Sequence, residues 1–510
     1  MKKLYAALLL ALTTQACYVG DEPAITAPAA PQASTDIDAF IWQSVKRSNR
    51  PFNWAAAPNE LIWSALRQSD EVLSVGYKPA GHAGDLGGSI HRIDVTTGDW
   101  KQARDQLLEL VYTEERKSNP ELKRSELEAF TEETLPVINV KVRSLATVQQ
   151  LRASGLVRYV EPMGYEPQAG GAQARLASSS GCGSNTPNPA LVAGRDFATI
   201  EPATKSAWHH PFHGIRDGWT RSSGAGIKLM IIDTGISPDQ NNLTSSFNQG
   251  FSGGRTVERL VTLPKAWPWS AAETPDDGCG HGTSMAGVAV GPRGTDGAAA
   301  GIAYNAGLVS VRAAADVFLD ASREVKGVSD AFVLAGNRAD IQIVSLSLGR
   351  VTSSSQLADA IRYAHNRGKL IFCAGGTSFG WSSGWVGVVF PASMDEVQAV
   401  TGIKDNLTGR CDACHEGSQI DFVTVMEQTA TGLHVPTLAM SGDLPSTVGG
   451  SSVATASLAG MAAMIWAQNP NQTREQVVDR LARSSNFFPN RNGNFGWGRP
   501  NVNSALNLSL

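Results

Sequence analysis

The sequence predicts an α/β protein in two folded parts: a large C-terminal domain built in three layers around a mostly parallel sheet, and a smaller α+β unit before it. Three observations carry this. From about residue 205 onward, short runs that are apolar on both faces ("IKLMIID", "GLVSVRAA", "IQIVSLSLG", "KLIFCAGG") alternate with amphipathic runs such as "VSDAFVLAGNRA" and "SQLADAIRYAHNRG". Strands buried on both faces and separated by helices belong to a parallel sheet covered on both sides. Upstream, residues 36–165 are charged and mixed, with strand and helix periods interleaved. Between the two lies "GYEPQAGGAQARLASSSGCGSNTPNP", rich in Gly, Ala, Ser and Pro, the composition of a linker and of a protease-accessible segment.

Taken in order, "MKKLYAALLLALTTQAC" has two lysines, a short apolar run and small residues, the layout of an export signal over 1–16 that is too short to span a bilayer. Cys17 stands where a bacterial lipoprotein carries its acyl chains, and the Pro/Ala-rich 17–35 suits a tether. Thr14 replaces the usual leucine of the lipoprotein cleavage box, so lipidation and simple secretion both stay open. In either case the mature protein leaves the cytoplasm, and a membrane is reached only through a lipidated Cys17. Within 36–165, "GGSIHRIDVTTGDW" reads as a strand, "DWKQARDQLLELVYTEERK" as an amphipathic helix, and "LPVINVKV" as a strand. "SLATVQQLRASG" follows as a helix ending at glycine and "LVRYVEP" as another strand. With 510 residues, 18% charged and a net charge of −4, the chain carries no basic footprint for nucleic acid. Setting Cys17 aside leaves five cysteines in a compartment that permits disulfides, so at least one thiol stays free or pairs outside the chain. Cys373, in an apolar strand-like run, is the candidate for the buried free thiol.

The chemistry gathers at three edges. Asp233 ends "IKLMIID", and functional groups in such sheets collect at the carboxyl ends of strands. His281 opens the apolar run "HGTSMAGVAVG", and Ser452 opens "VATASLAGMAAMIWA" behind two glycines and a serine. Taken singly, an Asp after a strand or a Ser before an apolar helix is a helix cap in most proteins. A serine hydroxyl becomes a competent nucleophile when a base takes its proton and a third group holds that base in one tautomer, and Asp, His and Ser are the residue types for those tasks. "IIDTGI", "GHGTSMAG" and "GGSSVATASLAG", in the chain order Asp, His, Ser, resemble the subtilisin-like serine peptidases.

The resemblance covers about 205–508 and includes "IVSLSLG", "FPASMDEVQAVTGI" and "GWGRPNVNSAL". It implies that Asp233 orients His281, that His281 is general base and then acid, and that Ser452 attacks the peptide carbonyl. It places substrate binding at Ser347, Leu348, Gly349, Ala374 and Gly375, and the oxyanion region at Gly376, Thr377 and Ser452. It further implies that 36–165 is a ferredoxin-like α+β propeptide acting as an intramolecular inhibitor, of which 36–130 match the family less well and read as an extended pro-region or a separate small domain, that 166–204 is a linker containing the processing region, and that 205–510 is the catalytic domain. The implied protein is an exported serine endopeptidase, made as an autoprocessed zymogen and acting on protein or peptide substrates through an acyl-enzyme. No cofactor is required, and calcium is admitted without assigned ligands. The three histidines of "WHHPFHGIRDGW" fall in the segment that wraps the catalytic core in this family, not in a metal site.

Two features depart from the family pattern. Where the loop after "KLIFCAGG" normally supplies an asparagine for the developing oxyanion, this chain has Gly376, and there is no asparagine between Asn366 and Asn406. Thr377, Ser378 or an indole N–H of Trp381 or Trp385 are the candidate replacements; the alternative is a weakly active or inactive protein that uses the groove for binding. The second feature, "CDACH", satisfies the attachment motif for c-type haem and also offers Cys411, Cys414 and His415 to a metal, while a local Cys411–Cys414 disulfide is the simpler reading. Cys182 and Cys279 then remain as a pair bracing the linker against the loop before His281, a pairing that sequence alone leaves open.

Overall fold

Two sheets organise the chain. The computed structural model describes residues 30–168, 182–183, 185–378 and 384–509. The expected export signal, with Cys17, lies outside the described residues.

The first sheet belongs to the N-terminal part. Helices α1 (Ser34–Ser48) and α2 (Asn59–Arg67) precede strand β1 (Val72–Tyr77); α3 (Gly98–Ser118), β2 (Glu128–Phe130), β3 (Val137–Lys141), α4 (Leu145–Ala153) and β4 (Val157–Pro162) follow. The strands lie in the order β2-β3-β1-β4, all antiparallel. Their apolar face packs under the helices in a core that includes Ile37, Ile41, Trp54, Leu61, Leu73, Val140 and Leu151. The strand expected over "GGSIHRIDVTTGDW" does not form. Asp94 accepts from Thr96 N–H at 2.9 Å and from the Thr96 and Thr97 hydroxyls, a side-chain turn that competes with a strand and leads into α3. Ile90 instead sits in a single helical turn and is fully buried among residues of the C-terminal domain.

The three-layer α/β architecture expected downstream is present. After a hairpin of β5 (Phe197–Ile200) and β6 (Thr204–Ala207) and a short α5 (Ile215–Gly218) come β7 (Lys228–Asp233), β8 (Val257–Val261), α6 (His281–Val290), β9 (Gly307–Arg312), α7 (Ser322–Asn337), β10 (Ile343–Leu346), α8 (Ser355–Asn366), β11 (Leu370–Ala374), β12 (Gln398–Lys404) and β13 (Phe422–Glu427). The hairpin of β14 (Val435–Thr437) and β15 (Ser446–Val448) leads into α9 (Gly450–Gln468), α10 (Arg474–Arg483) and α11 (Val502–Asn507). Seven strands form one sheet in the order β13-β12-β11-β10-β7-β9-β8, every neighbour parallel. The period of two sends Leu229 and Ile231 of β7 into the layer with α6, α9, α10 and α11, and Met230 and Ile232 into the layer with α7 and α8. Helix α9 is long and apolar enough to cross a membrane, but it is buried along the sheet, so its apolar character is that of a central core helix.

The N-terminal part rests on α7 and α8. Gln356 bonds both Ser74 (2.8 Å) and Asn139 (2.6 Å), Arg158 pairs with Asp359 (2.5 Å), and Glu132 with Lys326 (3.3 Å). Glu161 caps the start of α8, accepting from Ser355 N–H (2.7 Å) and the Ser355 hydroxyl (2.6 Å).

Candidate active site

Asp233 is the last residue of β7; it pairs with Arg312 of β9, and its carbonyl accepts from Ala313 N–H (2.9 Å). Its carboxylate accepts from His281 Nδ1, which lies 2.8 Å from Oδ1 and 3.0 Å from Oδ2. Since Nδ1 carries the hydrogen in that bond, Nε2 is the basic nitrogen. His281 opens α6, and the next residue, Gly282, admits no side chain: a Cβ there would lie 2.2 Å from the Gly235 carbonyl oxygen just past Asp233. This close approach is what brings the helix start up to the end of the strand. Burial pushes the imidazole pKa down, but the Asp233 carboxylate, with smaller contributions from Asp277 and Asp316, outweighs it and the net shift is upward.

Asp277 was not singled out from sequence, yet it holds this arrangement. It accepts from the N–H groups of Cys279 (2.9 Å), Gly280 (2.7 Å) and Thr283 (2.9 Å) and from the hydroxyls of Thr283 (2.6 Å) and Thr234 (2.9 Å). The first turn of α6 is thereby capped and tied to the residue after Asp233. An acidic residue a few positions before an apolar helical run was the signal available.

Ser452 is the third residue of α9 and lines a cavity of about 420 Å³ together with His281. Its Oγ makes one long contact, 3.4 Å to the Ser347 carbonyl oxygen, while the Ser347 hydroxyl donates back to the Ser452 carbonyl at 3.1 Å. The structure thus brings Asp233, His281 and Ser452 to one cleft, with Asp233 and His281 bonded and Ser452 turned toward β10. Ser347, Leu348, Gly349, Ala374, Gly376 and Thr377 line the same cavity, along with Phe318, Val389 and His434. Gly375 is not among the lining residues: its N–H donates to the Val400 carbonyl (2.8 Å), and a Cβ there would point into Ile420.

Gly376 has φ +128°, and the space a side chain would need is filled by the buried imidazole of His415: a Cβ would lie 2.4 Å from His415 Nδ1 and 3.0 Å from Val389 Cγ1. His415 Nδ1 donates to the Gly387 carbonyl (2.7 Å), so Nε2 accepts from the Ser378 hydroxyl (2.9 Å). Burial lowers its pKa to about 4, so the ring is neutral. Of the residues considered as substitutes for the asparagine, Ser378 is therefore committed to His415, and Trp385 donates its indole N–H to Asn49 (2.9 Å). Trp381 lies outside the described residues.

Cys411 and Cys414 form a disulfide, as do Cys182 and Cys279, and Cys373 is free and buried, its thiol pKa pushed up by burial. With Cys411 and Cys414 bonded to each other and His415 turned to Gly387 and Ser378, the haem and metal readings of "CDACH" have no ligands. The second disulfide ties Cys182 to the loop before His281, next to a bond from Asn185 to the Gly280 carbonyl (2.8 Å). His209, His210 and His213 are buried, and burial drives the last two to about 3. Among the described residues no cluster of three or more His, Cys, Asp or Glu is arranged to hold a metal.

One further segment is held beside the cavity-lining residues. Arg350, just past the lining residues Leu348 and Gly349, is almost fully buried and is gripped by Glu166 (2.8 Å) and by the carbonyls of Met163 and Tyr165 (both 3.1 Å). Glu166 also accepts from Val351 N–H (2.8 Å). Residues 163–166 are thus anchored beside the cavity-lining segment.

Comparison with known proteins identifies the family. A family model described as the Subtilase family matches residues 224–498, a span that contains Asp233, His281 and Ser452. M-protease of Shouchella clausii (strain KSM-K16) is 28% identical over 285 residues, covering 56% of this chain and 65% of that protein. Subtilisin Savinase of Lederbergia lenta is 28% identical over 285 residues, covering 56% of this chain and 91% of that protein. The chain therefore spans slightly under two thirds of the length of the M-protease it matches. Among solved structures, that of fervidolysin from Fervidobacterium pennivorans, described as a keratinolytic enzyme related to subtilisin, aligns with a TM-score of 0.56 at 15% identity, over 86% of this chain and 61% of that one. That likeness concerns the fold alone. Because the family match takes in more than half of the chain and all three edges of the cleft, this chain belongs to the subtilase family, the subtilisin-like serine proteases.

Proposed function

We propose that this chain is an exported serine endopeptidase that hydrolyses peptide bonds through an acyl-enzyme. The observation that carries the reading is the bond between Asp233 and His281 Nδ1 at the mouth of a cavity also lined by Ser452. His281 Nε2 takes the hydroxyl proton as Ser452 Oγ bonds to the carbonyl carbon, and the carbonyl π pair moves onto oxygen. Ser452 N–H, in the first turn of a helix where backbone donors have no intrahelical acceptor, faces the developing charge with the positive end of the α9 dipole behind it. The protonated His281 then gives its proton to the leaving amine, and water repeats the sequence to free the enzyme. The raised His281 pKa favours the protonated form that these steps require.

Residues 36–165 act in this reading as a propeptide docked on α7 and α8, with 166–204 containing the processing region. The grip of Arg350 on Met163, Tyr165 and Glu166 supports a path from propeptide to cleft. Export rests on the N-terminal signal pattern, and lipidation of Cys17 would anchor only the unprocessed form.

Fluorophosphonate labelling of the full-length protein, read by intact mass beside Ser452→Ala, tests the reading. One adduct on the parent and none on the variant, with a new N-terminus between about 162 and 205 in the parent alone, is the expected result. A folded parent that neither labels nor cleaves a peptide would leave the groove as a binding site, the reading that Gly376 favours.

A further inference from the structure

We propose that the side-chain hydroxyl of Thr377 is the second oxyanion donor, taking the place left by Gly376. The inference rests on the reading of Ser452 as nucleophile. An oxyanion hole works by fixed donors aimed at the charge as it develops, and Ser452 N–H supplies only one. A second must lie in the cavity beside Ser452, and its hydrogen must not be given to another group.

The hydrogen bonds around Gly376 assign it. Gly376 N–H donates to Ser451 Oγ (3.1 Å), Ser451 N–H donates to Thr377 Oγ1 (3.0 Å), and the two hydroxyl oxygens are 3.0 Å apart. A hydroxyl has one hydrogen and two lone pairs. The hydroxyl pair admits either donor, and the proposal assigns it: Ser451, buried to 1% exposure, gives its Oγ–H to Thr377 Oγ1. Both lone pairs of Thr377 Oγ1 are then filled, by Ser451 N–H and Ser451 Oγ–H, and its own hydrogen is left to donate. Thr377 is half-buried and lines the cavity shared by Ser452, with Oγ1 against Gly450, the first residue of α9. The result is a chain of donors, Gly376 N–H to Ser451 Oγ–H to Thr377 Oγ1–H, in which each bond polarises the next before the last reaches the oxyanion. The backbone of the loop is held from behind by antiparallel bonds, His415 N–H to the Gly376 carbonyl (2.9 Å) and Ser378 N–H to the Ala413 carbonyl (2.6 Å). No proton is transferred; Thr377 contributes a hydrogen bond that strengthens as the carbonyl oxygen gains charge.

The test is steady-state cleavage of a peptide anilide by the full-length protein and its Thr377→Val, Thr377→Ser and Ser451→Ala variants, with inhibition by a peptide boronic acid as a mimic of the tetrahedral state. Removal of one oxyanion-hole donor costs about 10²–10³ in kcat, a magnitude that comes from a subtilisin. Thr377→Val is expected to lose about that much in kcat with KM nearly constant, and to lose boronate affinity in parallel. Thr377→Ser keeps the donor and is expected to stay within about 3-fold of the parent. Ser451→Ala removes the polarising bond, together with the acceptor of Gly376 N–H, while leaving the Thr377 hydroxyl in place, and is expected to fall between them. A Thr377→Val enzyme within about 3-fold of the parent, or a Ser451→Ala loss larger than that of Thr377→Val, overturns the assignment while leaving the peptidase reading intact. A parent that fails to label with fluorophosphonate overturns both. Should Thr377→Val fold poorly by circular dichroism, Thr377→Ala, which opens space without adding a methyl where the hydroxyl stood, carries the same comparison.

Discussion

Restoring an asparagine at 376 is the obvious way to make this cleft more like those of its relatives, and the structure predicts that it fails. In Gly376→Asn the backbone must keep φ +128°, a region that costs a side-chain-bearing residue about 1–3 kcal/mol. The new Cβ arrives 2.4 Å from His415 Nδ1, and that ring is held on both nitrogens, by Gly387 and by Ser378. Overpacking of this kind costs about 1–3 kcal/mol, and a displaced ring forfeits about 1 kcal/mol for each hydrogen bond it loses. The expected loss is therefore about 3–8 kcal/mol, a large share of the 5–15 kcal/mol typical of folded proteins. Urea unfolding measured in the Ser452→Ala background, which removes the self-cleavage proposed above, reads it out. Gly376→Asn with His415→Ala should recover part of the loss relative to the two single variants, because the clash with the ring is relieved, leaving the backbone strain and the 3.0 Å approach to Val389 Cγ1. A Gly376→Asn protein within about 0.5 kcal/mol of its parent, or strictly additive effects at 376 and 415, would refute the argument that His415 dictates glycine here.

Two other perturbations follow from charge. Asp277→Asn keeps an acceptor for the first turn of α6 but removes a carboxylate that raises the His281 pKa, so the acid limb of the pH profile of kcat/KM should move to lower pH, with about 1–2 kcal/mol of stability lost from weakened caps; an unmoved acid limb would count against the electrostatic role. Glu161, whose pKa burial raises to about 7, is docked against Ser355 and binds a proton more readily than an undocked glutamate. The docking contribution is thus full below about pH 4.5, is lost as pH rises through about 7, and amounts to roughly 3 kcal/mol at most. Amide exchange at the start of α8 in full-length Ser452→Ala should slow as pH falls through this window, after correction for intrinsic rates, and Glu161→Gln should flatten the dependence.

The parallel sheet was legible because its strands are apolar on both faces and end in residues whose placement follows from topology, as Asp233 does at the end of β7. Much of the N-terminal part was not read, although α1 carries Ile37, Ile41 and Val45 at a four-residue spacing and buries all three. Strand β1 is a six-residue run too short for its period to be told from a buried helix segment, and its edges are set by pairing with β3 and β4, far away in sequence. "GGSIHRIDVTTGDW" failed as a strand for a local reason, the Asp94 turn, and for a distant one, the burial of Ile90 against residues of the C-terminal part. Neither is a property of alternation. Arg350 and Glu166 likewise meet across 184 positions, and nothing near either residue announces the other.

The two departures from the family pattern, Gly376 and "CDACH", stand almost 40 residues apart and read along the chain as separate oddities. In space they are one feature. The Cys411–Cys414 bridge shapes the turn that delivers His415 beneath the loop of Gly376, the imidazole occupies the volume where an asparagine side chain would begin, and the backbone on either side joins the two segments by antiparallel bonds. Once that ring is in place, residue 376 must be glycine. In the peptidase reading proposed above, the oxyanion donor beside Ser452 N–H then has to come from a residue that the ring does not displace, which is where the proposal places the Thr377 hydroxyl, backed by Ser451.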